Sequence, residues 1–215
     1  MQSKINYQLE TDRLLKALPT DRVPVLFLHA CCAPCSSYVL EYLSQYFAIT
    51  LFFYNPNIAP EEEYLHRKAE LKRLVQTMPL SHPVTILDGD YAPERFYALA
   101  KGLEQEPERG ARCQKCIGHR LEESFRAAAM QTPAPDFVCT TLTISPHKDA
   151  VFINTRGAEL AEQYGIPWLY TDFKKKGGYQ RSIALSREYD LYRQNFCGCV
   201  YSRLEAERRE QQHNS

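Results

Sequence analysis

Pro24-Val25-Leu26-Phe27-Leu28-His29-Ala30-Cys31-Cys32-Ala33-Pro34-Cys35-Ser36-Ser37 is the stretch on which the fold turns. Residues 24–30 form a short continuous apolar run, which reads as a strand buried on both faces. A helix over 37–47 follows, with Val39, Leu40 and Leu43 on one side. Ligands of open α/β sheets bind at the carboxyl ends of strands. A helix N-terminus placed there favours anions and lowers thiol pKa values. The loop holds no glycine, so a phosphate cradle is not supported, and what it offers instead is sulfur. Two small buried hydrophobes would be the plain explanation of Cys31 and Cys32. Three cysteines in five residues ask for more.

The same alternation continues outward. Residues 48–54 read as a second buried strand, broken by Asn55-Pro56-Asn57. Pro60 and the acids Glu61 to Glu63 start a helix with an apolar stripe expected through Leu65, Leu71, Leu74, Val75 and Met78, stopped by Pro79. Residues 84–87 give a third strand, and 93–131 read as helices broken near Glu108-Arg109-Gly110. A fourth strand is expected over 137–144, a helix over 151–164 closed by Gly165, and a short fifth strand at 168–170. A Lys- and Gly-rich loop then leads to a helix expected near 186–194, and a charged helix follows to the C-terminus. Strands alternating with helices predict a parallel α/β sheet. The chain, 215 residues long, suits one domain. Residues 1–22 form an N-terminal extension, and about 204–215 a C-terminal helix with a frayed end.

The formal net charge is zero, so no overall field for nucleic acid exists, although Lys174-Lys175-Lys176 makes a local patch. No run approaches the ~18 apolar residues that span a bilayer, and the N-terminus lacks the apolar core of a secretory signal. A reducing cytoplasm is the expected compartment, which disfavours structural disulfides.

Eight cysteines therefore need another use, and seven of them lie in three tight groups. Cys31, Cys32 and Cys35 follow the first strand. Cys113-Gln114-Lys115-Cys116 is a CxxC at a helix start, and Cys197-Gly198-Cys199 is a CxC. Soft thiolates at short spacing hold zinc or iron–sulfur clusters, or cycle as disulfides. Cys31, Cys32, Cys113 and Cys116 make a four-thiolate set. Adjacent cysteines fit poorly on one tetrahedral zinc but can each bind a separate iron of a cubane, which favours [4Fe-4S]. A disulfide between i and i+2 closes a small, strained and easily reduced ring, and Gly198 gives the backbone freedom to bend. Cys197 and Cys199 thus read as a redox-active pair, with two further metal ligands as the competing reading. Cys35 is either a spare thiol or a ligand of a second metal. Cys139 reads as core, and so does His29.

Five segments together resemble the QueH-type epoxyqueuosine reductases. They are Leu28-His29-Ala30-Cys31-Cys32-Ala33-Pro34-Cys35-Ser36, Phe53-Tyr54-Asn55-Pro56-Asn57-Ile58, Arg112-Cys113-Gln114-Lys115-Cys116, Thr140-Thr141-Leu142-Thr143-Ile144-Ser145-Pro146-His147-Lys148, and Tyr192-Arg193-Gln194-Asn195-Phe196-Cys197-Gly198-Cys199. The resemblance runs from about residue 23 to 203. It implies a three-layer, adenine-nucleotide-hydrolase-like (HUP-like) domain with added helices around the cysteines. It implies reduction of epoxyqueuosine to queuosine at the wobble position of tRNA, the last step of that synthesis. It further implies Cys31, Cys32, Cys113 and Cys116 as [4Fe-4S] ligands and Cys197 with Cys199 as the redox pair. An additional iron ion beside the cluster, with Cys35 as a candidate ligand, is compatible with it. The partners would be tRNA and an electron donor that the sequence does not identify.

Epoxide deoxygenation takes two electrons and two protons. His147, Lys148, Asp149, Asp172 and Tyr179 are the candidate proton donors. Arg109, Arg112, Lys115 and Lys174 to Lys176 could meet phosphates, and Tyr170, Tyr179, Tyr192 and Phe196 could stack on bases. Two competing functions share parts of the pattern. One is a phosphosulfate reductase, which would need a phosphosulfate loop and a lone C-terminal cysteine. The other is a zinc-stabilised RNA-binding module, in which the CxC need not change redox state.

Overall fold

A computed structural model describes residues 5–213. Four strands form one wholly parallel sheet: β1 (Val25–Ala30), β2 (Ala48–Phe53), β3 (Val84–Asp88) and β4 (Phe137–Thr140), in the order β3-β2-β1-β4. Eight helices accompany it among the described residues. They are α1 (Tyr7–Lys16), α2 (Ala33–Leu43), α3 (Glu61–Thr77), α4 (Pro93–Ala100), α5 (Ala111–Ala129), α6 (Ala150–Tyr164), α7 (Gly178–Glu188) and α8 (Val200–His213).

Side-chain alternation makes the three layers. Leu26, Leu28 and Ala30 of β1, with Ile49, Leu51 and Phe53 of β2, face one core with residues of α2 and α3. Phe27, Phe52 and Val138 face the other, with Ile117, Leu121 and Phe125 of α5 and Ile153 and Leu160 of α6. Helix α2 packs on α7, and α5 on α6. Cys139 is fully buried in the first core, as expected.

Strand order reverses at β1, which pairs with β2 on one side and β4 on the other. The crevice beyond the carboxyl ends of β1 and β4 is where such sheets bind ligands. The chain after β1 carries Cys31 and Cys32. The chain after β4 winds into a 3-10 turn, Thr141–Ile144, and leads to Lys148.

Several boundaries differ from the expected ones. The first long helix is 33–43 rather than 37–47, because Cys32 is its extended N-cap and Pro34 sits in its first turn. The fourth strand stops at Thr140, whose hydroxyl accepts the Leu142 N–H at 3.2 Å and tightens the chain. The fifth strand shrinks to one parallel bridge between Val138 and Trp168. The Asn154 side chain takes over the next backbone groups: its Oδ1 accepts from Thr171 N at 3.0 Å and its Nδ2 donates to Thr171 O at 2.8 Å. The helix expected near 186–194 is α7, at 178–188. It stops because Asp190 turns left-handed (φ 46°), and Arg73 collects the carbonyls of Tyr189 and Asp190 at 3.0 Å each. The N-terminal extension contains α1, docked by Thr11 Oγ1 donating to Tyr170 O at 2.7 Å and by stacking of Tyr7 on Tyr170. Helix α8 starts at Val200, before the expected 204. Fraying at 214–215 lies outside the described residues.

Asp136 clamps the entry to the central strands. Its carboxylate accepts the Val25 N–H at 2.8 Å and a guanidinium N–H of Arg22 at 2.9 Å. The Arg22 hydrogen bond, aided by the Val25 amide, holds the carboxyl below its ordinary pKa. The folded carboxyl ionises more readily than the unfolded one, so its contribution is complete above about pH 4 and fades as pH falls further. Asp136→Asn is expected to lower unfolding free energy by about 1 kcal/mol at pH 7 and to flatten the acid limb. Urea titrations at pH 7 and pH 3 measure both; an equal loss at the two pH values would show that the charge is irrelevant.

Candidate metal–thiol centre

The short turn out of β1 brings three sulfurs together. The ligand atoms of Cys31, Cys32 and Cys35 lie within 4.8 Å of one another, with Cys31 Sγ to Cys32 Sγ at 3.8 Å. That trio can hold a metal ion. Burying three thiols together forces one charge to be shared unequally. Hydrogen bonds from Cys31 and Cys35, helped by the Arg67 charge, hold the Cys32 thiol well below the usual range. The same contacts push Cys35 well up, and Cys31 rises through its hydrogen bond to Cys32. Cys35, ambiguous in the sequence, is therefore the nearest partner of the CC pair in space.

Helix α5 presents Cys113 and Cys116 one turn apart, at its start as expected. Burial raises both, Cys116 to about 11. They line a small cavity of about 20 Å³ with Cys197, Cys199, Asn57, Arg120 and Lys148. Cys31, Cys32 and Cys35 line a neighbouring cavity of about 450 Å³. Arg120, Lys148 and Cys197 belong to both walls. The three cysteine groups thus converge at one end of the sheet, beside two arginines that the motifs did not single out.

Arg120 is the first of these. It is 2% exposed, and its hydrogen bonds go to the Cys116 carbonyl at 3.4 Å and Asn55 Oδ1 at 3.3 Å. Asn55 is itself fixed by donating to Ala30 O at 2.8 Å. No carboxylate pairs with Arg120 among the described residues. Burial works against its charge, yet Cys116, Cys197, Cys31 and Cys113 together raise its pKa. A buried guanidinium without an acid is costly unless something else nearby is negative. Here the sulfurs of Cys116, Cys197, Cys31 and Cys113 fill that role. The sequence did carry a signal: Arg120 stands one turn beyond Cys116, between the buried Ile117 and Leu121 of an apolar face.

Arg67 is the second. It is buried in α3, with Nε donating to Glu63 Oε1 at 2.7 Å and a second nitrogen to the Cys197 carbonyl at 3.2 Å. Its guanidinium carbon lies 5.0 Å from the Phe196 ring centre. This grip locks the CxC. Gly198 has φ 122°, and a Cβ there would stand 2.9 Å from Ile58 Cγ1 and 3.1 Å from an Arg67 nitrogen, so both conformation and space require glycine.

The two CxC sulfurs sit differently. Lys148 Nζ donates to Cys197 Sγ at 3.1 Å and lies 3.6 Å from Glu108, with its side chain 8% exposed. Burial opposes its charge, but the Cys197 sulfur more than offsets that and raises its pKa. Cys199 is buried beside α8, donating to Ser202 Oγ and accepting from Ser202 N, both at 3.4 Å. A charged hydrogen bond to thiolate contributes about 1.5–3 kcal/mol, against about 0.3–1 for a helix terminus.

The remaining expected residues divide clearly. His29 is core: its ring nitrogens meet Thr140 Oγ1 at 2.8 Å and Tyr54 O at 3.1 Å, and burial lowers its pKa to about 4. Asp149 is the N-cap of α6, and Asp172 pairs with Lys174. His147 and Tyr179 line the larger cavity. Arg112 is no RNA contact, because it is buried on the carbonyls of Leu103, Glu104 and Glu106 and against Tyr201. Lys176 pairs with Asp12, and Tyr170 with Tyr7.

Fold and site together define a parallel α/β protein with a cysteine cluster able to hold a metal ion at the sheet's switch point. The family model described as epoxyqueuosine reductase QueH matches residues 26–205. Relatives carrying that name include proteins of Streptococcus pyogenes serotype M1, 40% identical over 93% of this chain and 78% of the relative. Another is from Haemophilus influenzae, 42% identical over 82% and 71%. A third, from Thermotoga maritima, is 34% identical over 84% and 91%. The chain belongs to the epoxyqueuosine reductase QueH family. Membership sets aside the phosphosulfate reductase and the RNA-binding module.

If Arg120 is the cation that makes buried thiolates tolerable, Arg120→Met should lower the metal retained per chain several-fold, with the helical circular dichroism preserved. Unchanged metal content would remove the guanidinium from that role.

Proposed function

We propose that this chain reduces the epoxide of epoxyqueuosine, at the wobble position of tRNA, to the alkene of queuosine, the last step of that synthesis. One observation carries the assignment of residues: thiols from three distant segments gather about a buried guanidinium that has no carboxylate partner among the described residues. We assign Cys31, Cys32, Cys113 and Cys116 as ligands of a [4Fe-4S] cluster, Cys35 as a ligand of an additional iron, and Cys197 with Cys199 as the redox pair. The donor set fits. The sulfurs are partly or wholly buried, and Arg67, Arg120 and Lys148 supply the positive charge that a cluster ligated by thiolates needs in a medium of low dielectric. When bound, the cluster supplies one-electron transfer, and the iron a Lewis acid for the epoxide oxygen.

The protein's own part is binding and proton supply. The larger cavity lies between the Cys31 loop, the turn after β4 and the segment before α8, and it exposes Cys197, His147, Lys148 and Tyr179 to one space. Leu142, Ile144 and Phe196 line its apolar parts and suit a base turned out of the anticodon loop. Arg193 and Arg209 are exposed on its rim. They suit phosphates better than the Lys174–Lys176 patch, where two of three lysines already pair with Asp172 and Asp12. No helix among the described residues is long and apolar enough to cross a membrane. Eight free cysteines suit a reducing cytoplasm, from which the electron donor would come.

The deciding experiment is an anaerobic reaction of the brown, iron-loaded protein with epoxyqueuosine-containing tRNA and a reductant, read by nucleoside mass analysis. Queuosine is expected; its absence with fully loaded protein ends this reading. Cys197→Ala should keep the cluster's absorption and lose turnover, whereas loss of the absorption would make Cys197 a ligand. Arg193→Glu combined with Arg209→Glu should weaken tRNA binding about tenfold and reduce its salt dependence. Unchanged binding would move the RNA face elsewhere.

A further inference from the structure

We infer that Lys148 divides the labour of the CxC pair: it holds Cys197 as the attacking thiolate and leaves Cys199 as the resolving thiol. The inference deepens the proposed reduction and rests on that reading for its chemical step, but the asymmetry itself is a property of the resting chain.

The geometry is one-sided. Lys148 Nζ is 3.1 Å from Cys197 Sγ and donates to it. It is shielded from water, so the interaction is little screened. On its other side Glu108 lies 3.6 Å away, fixing the ammonium without displacing the sulfur. The charged and titratable groups that face Lys148 from the packed elements are Glu108, Arg120, Cys113, Cys116 and Cys197. Arg120 opposes the ammonium, so the sulfur and the carboxylate must hold it in place. Among the described residues, Cys199 has no cation partner. Its thiol proton goes to Ser202 Oγ at 3.4 Å, and the Ser202 amide at the start of α8 gives its sulfur one neutral hydrogen bond. A full charge outweighs that amide. Access points the same way: Cys197 lines both cavities, and Cys199 only the smaller one.

The overall step balances with this division. The Cys197 thiolate, the Cys199 thiol, the epoxide and one proton from solvent become the Cys197–Cys199 disulfide, the alkene and water. One S–S bond forms and both C–O bonds of the epoxide break. The two sulfurs are oxidised by two electrons, and the substrate is reduced by two. The Cys199 proton and the solvent proton leave on oxygen. Lys148 contacts the sulfur rather than entering the stoichiometry, so it is a positioning residue.

The test is a brief, limiting iodoacetamide pulse on anaerobically purified, reduced full-length protein, with tandem mass mapping of the tryptic peptide 194–203. Wild type should take label on Cys197 first. Lys148→Met should slow Cys197 labelling about tenfold at pH 7, Lys148→Arg should restore most of it, and wild type and Lys148→Met should converge near pH 10, above the ordinary range of free thiols. Labelling of Cys199 first in wild type overturns the proposal without needing any variant, even if Lys148→Met fails to fold. So does a Lys148→Met rate that equals wild type at pH 7, or that stays slow at pH 10, which would reveal a purely structural lysine. Because no tRNA is present, a failure of nucleoside reduction alongside the expected labelling order counts against the epoxyqueuosine reading alone and supports this one.

Discussion

A buried positive charge without an acid governs this molecule. Arg120 rises from α5 into the junction of two cavities and finds only carbonyl oxygens and sulfur. Isolated, such a guanidinium would be expensive to bury. Surrounded by thiols, it offers a counter-charge to a sulfur that ionises, although burial still raises Cys113 and Cys116. Arg67 adds a second buried cation from α3, this one paired with Glu63, touching the Cys32 environment electrostatically and the Cys197 carbonyl directly. The two arginines come from separate elements, so the centre forms only when the three layers are assembled.

The sheet determines why these segments meet. Parallel strands send all their exits to one end, and the reversal of order at β1 opens that end between β1 and β4. The thiols of the first loop sit at an N-cap immediately after the strand, with no intervening linker. The loop after β2 contributes Asn55, which ties the Ala30 carbonyl to Arg120. The turn after β4 contributes Lys148. Nucleotide-binding relatives of this architecture would place glycines and backbone amides here; this chain places sulfur and cations.

Much of this was legible in the chain. The apolar runs at 24–30 and 48–54 named their strands, and the helix start at the CxxC was placed well. The resemblance to the QueH family rested on motifs that the family match then covered. What failed was local and has physical causes. Strand ends depend on side-chain hydrogen bonds such as Thr140 to Leu142 N and Asn154 to Thr171, which no periodicity records. Helix α7 was shifted because its stop is made by Arg73, more than a hundred residues away. Cys35 remained ambiguous because sequence spacing cannot say whether a third sulfur turns toward a pair. The buried arginines escaped notice because arginine is usually a surface residue, and only burial reveals otherwise.

Gly198 has a wider consequence. Its carbonyl accepts the Ala59 N–H at 3.0 Å, and its α-carbon is walled by Ile58 and Arg67. The cysteine pair is therefore a crossbeam riveted at its midpoint to the rest of the scaffold rather than a tether swinging from the last helix. Any torsion created when its ends join or part is delivered to the stretch leaving β2 and to the middle of α3. A bond closing between its ends, as the proposed redox role requires, would press on the wall of the neighbouring chamber.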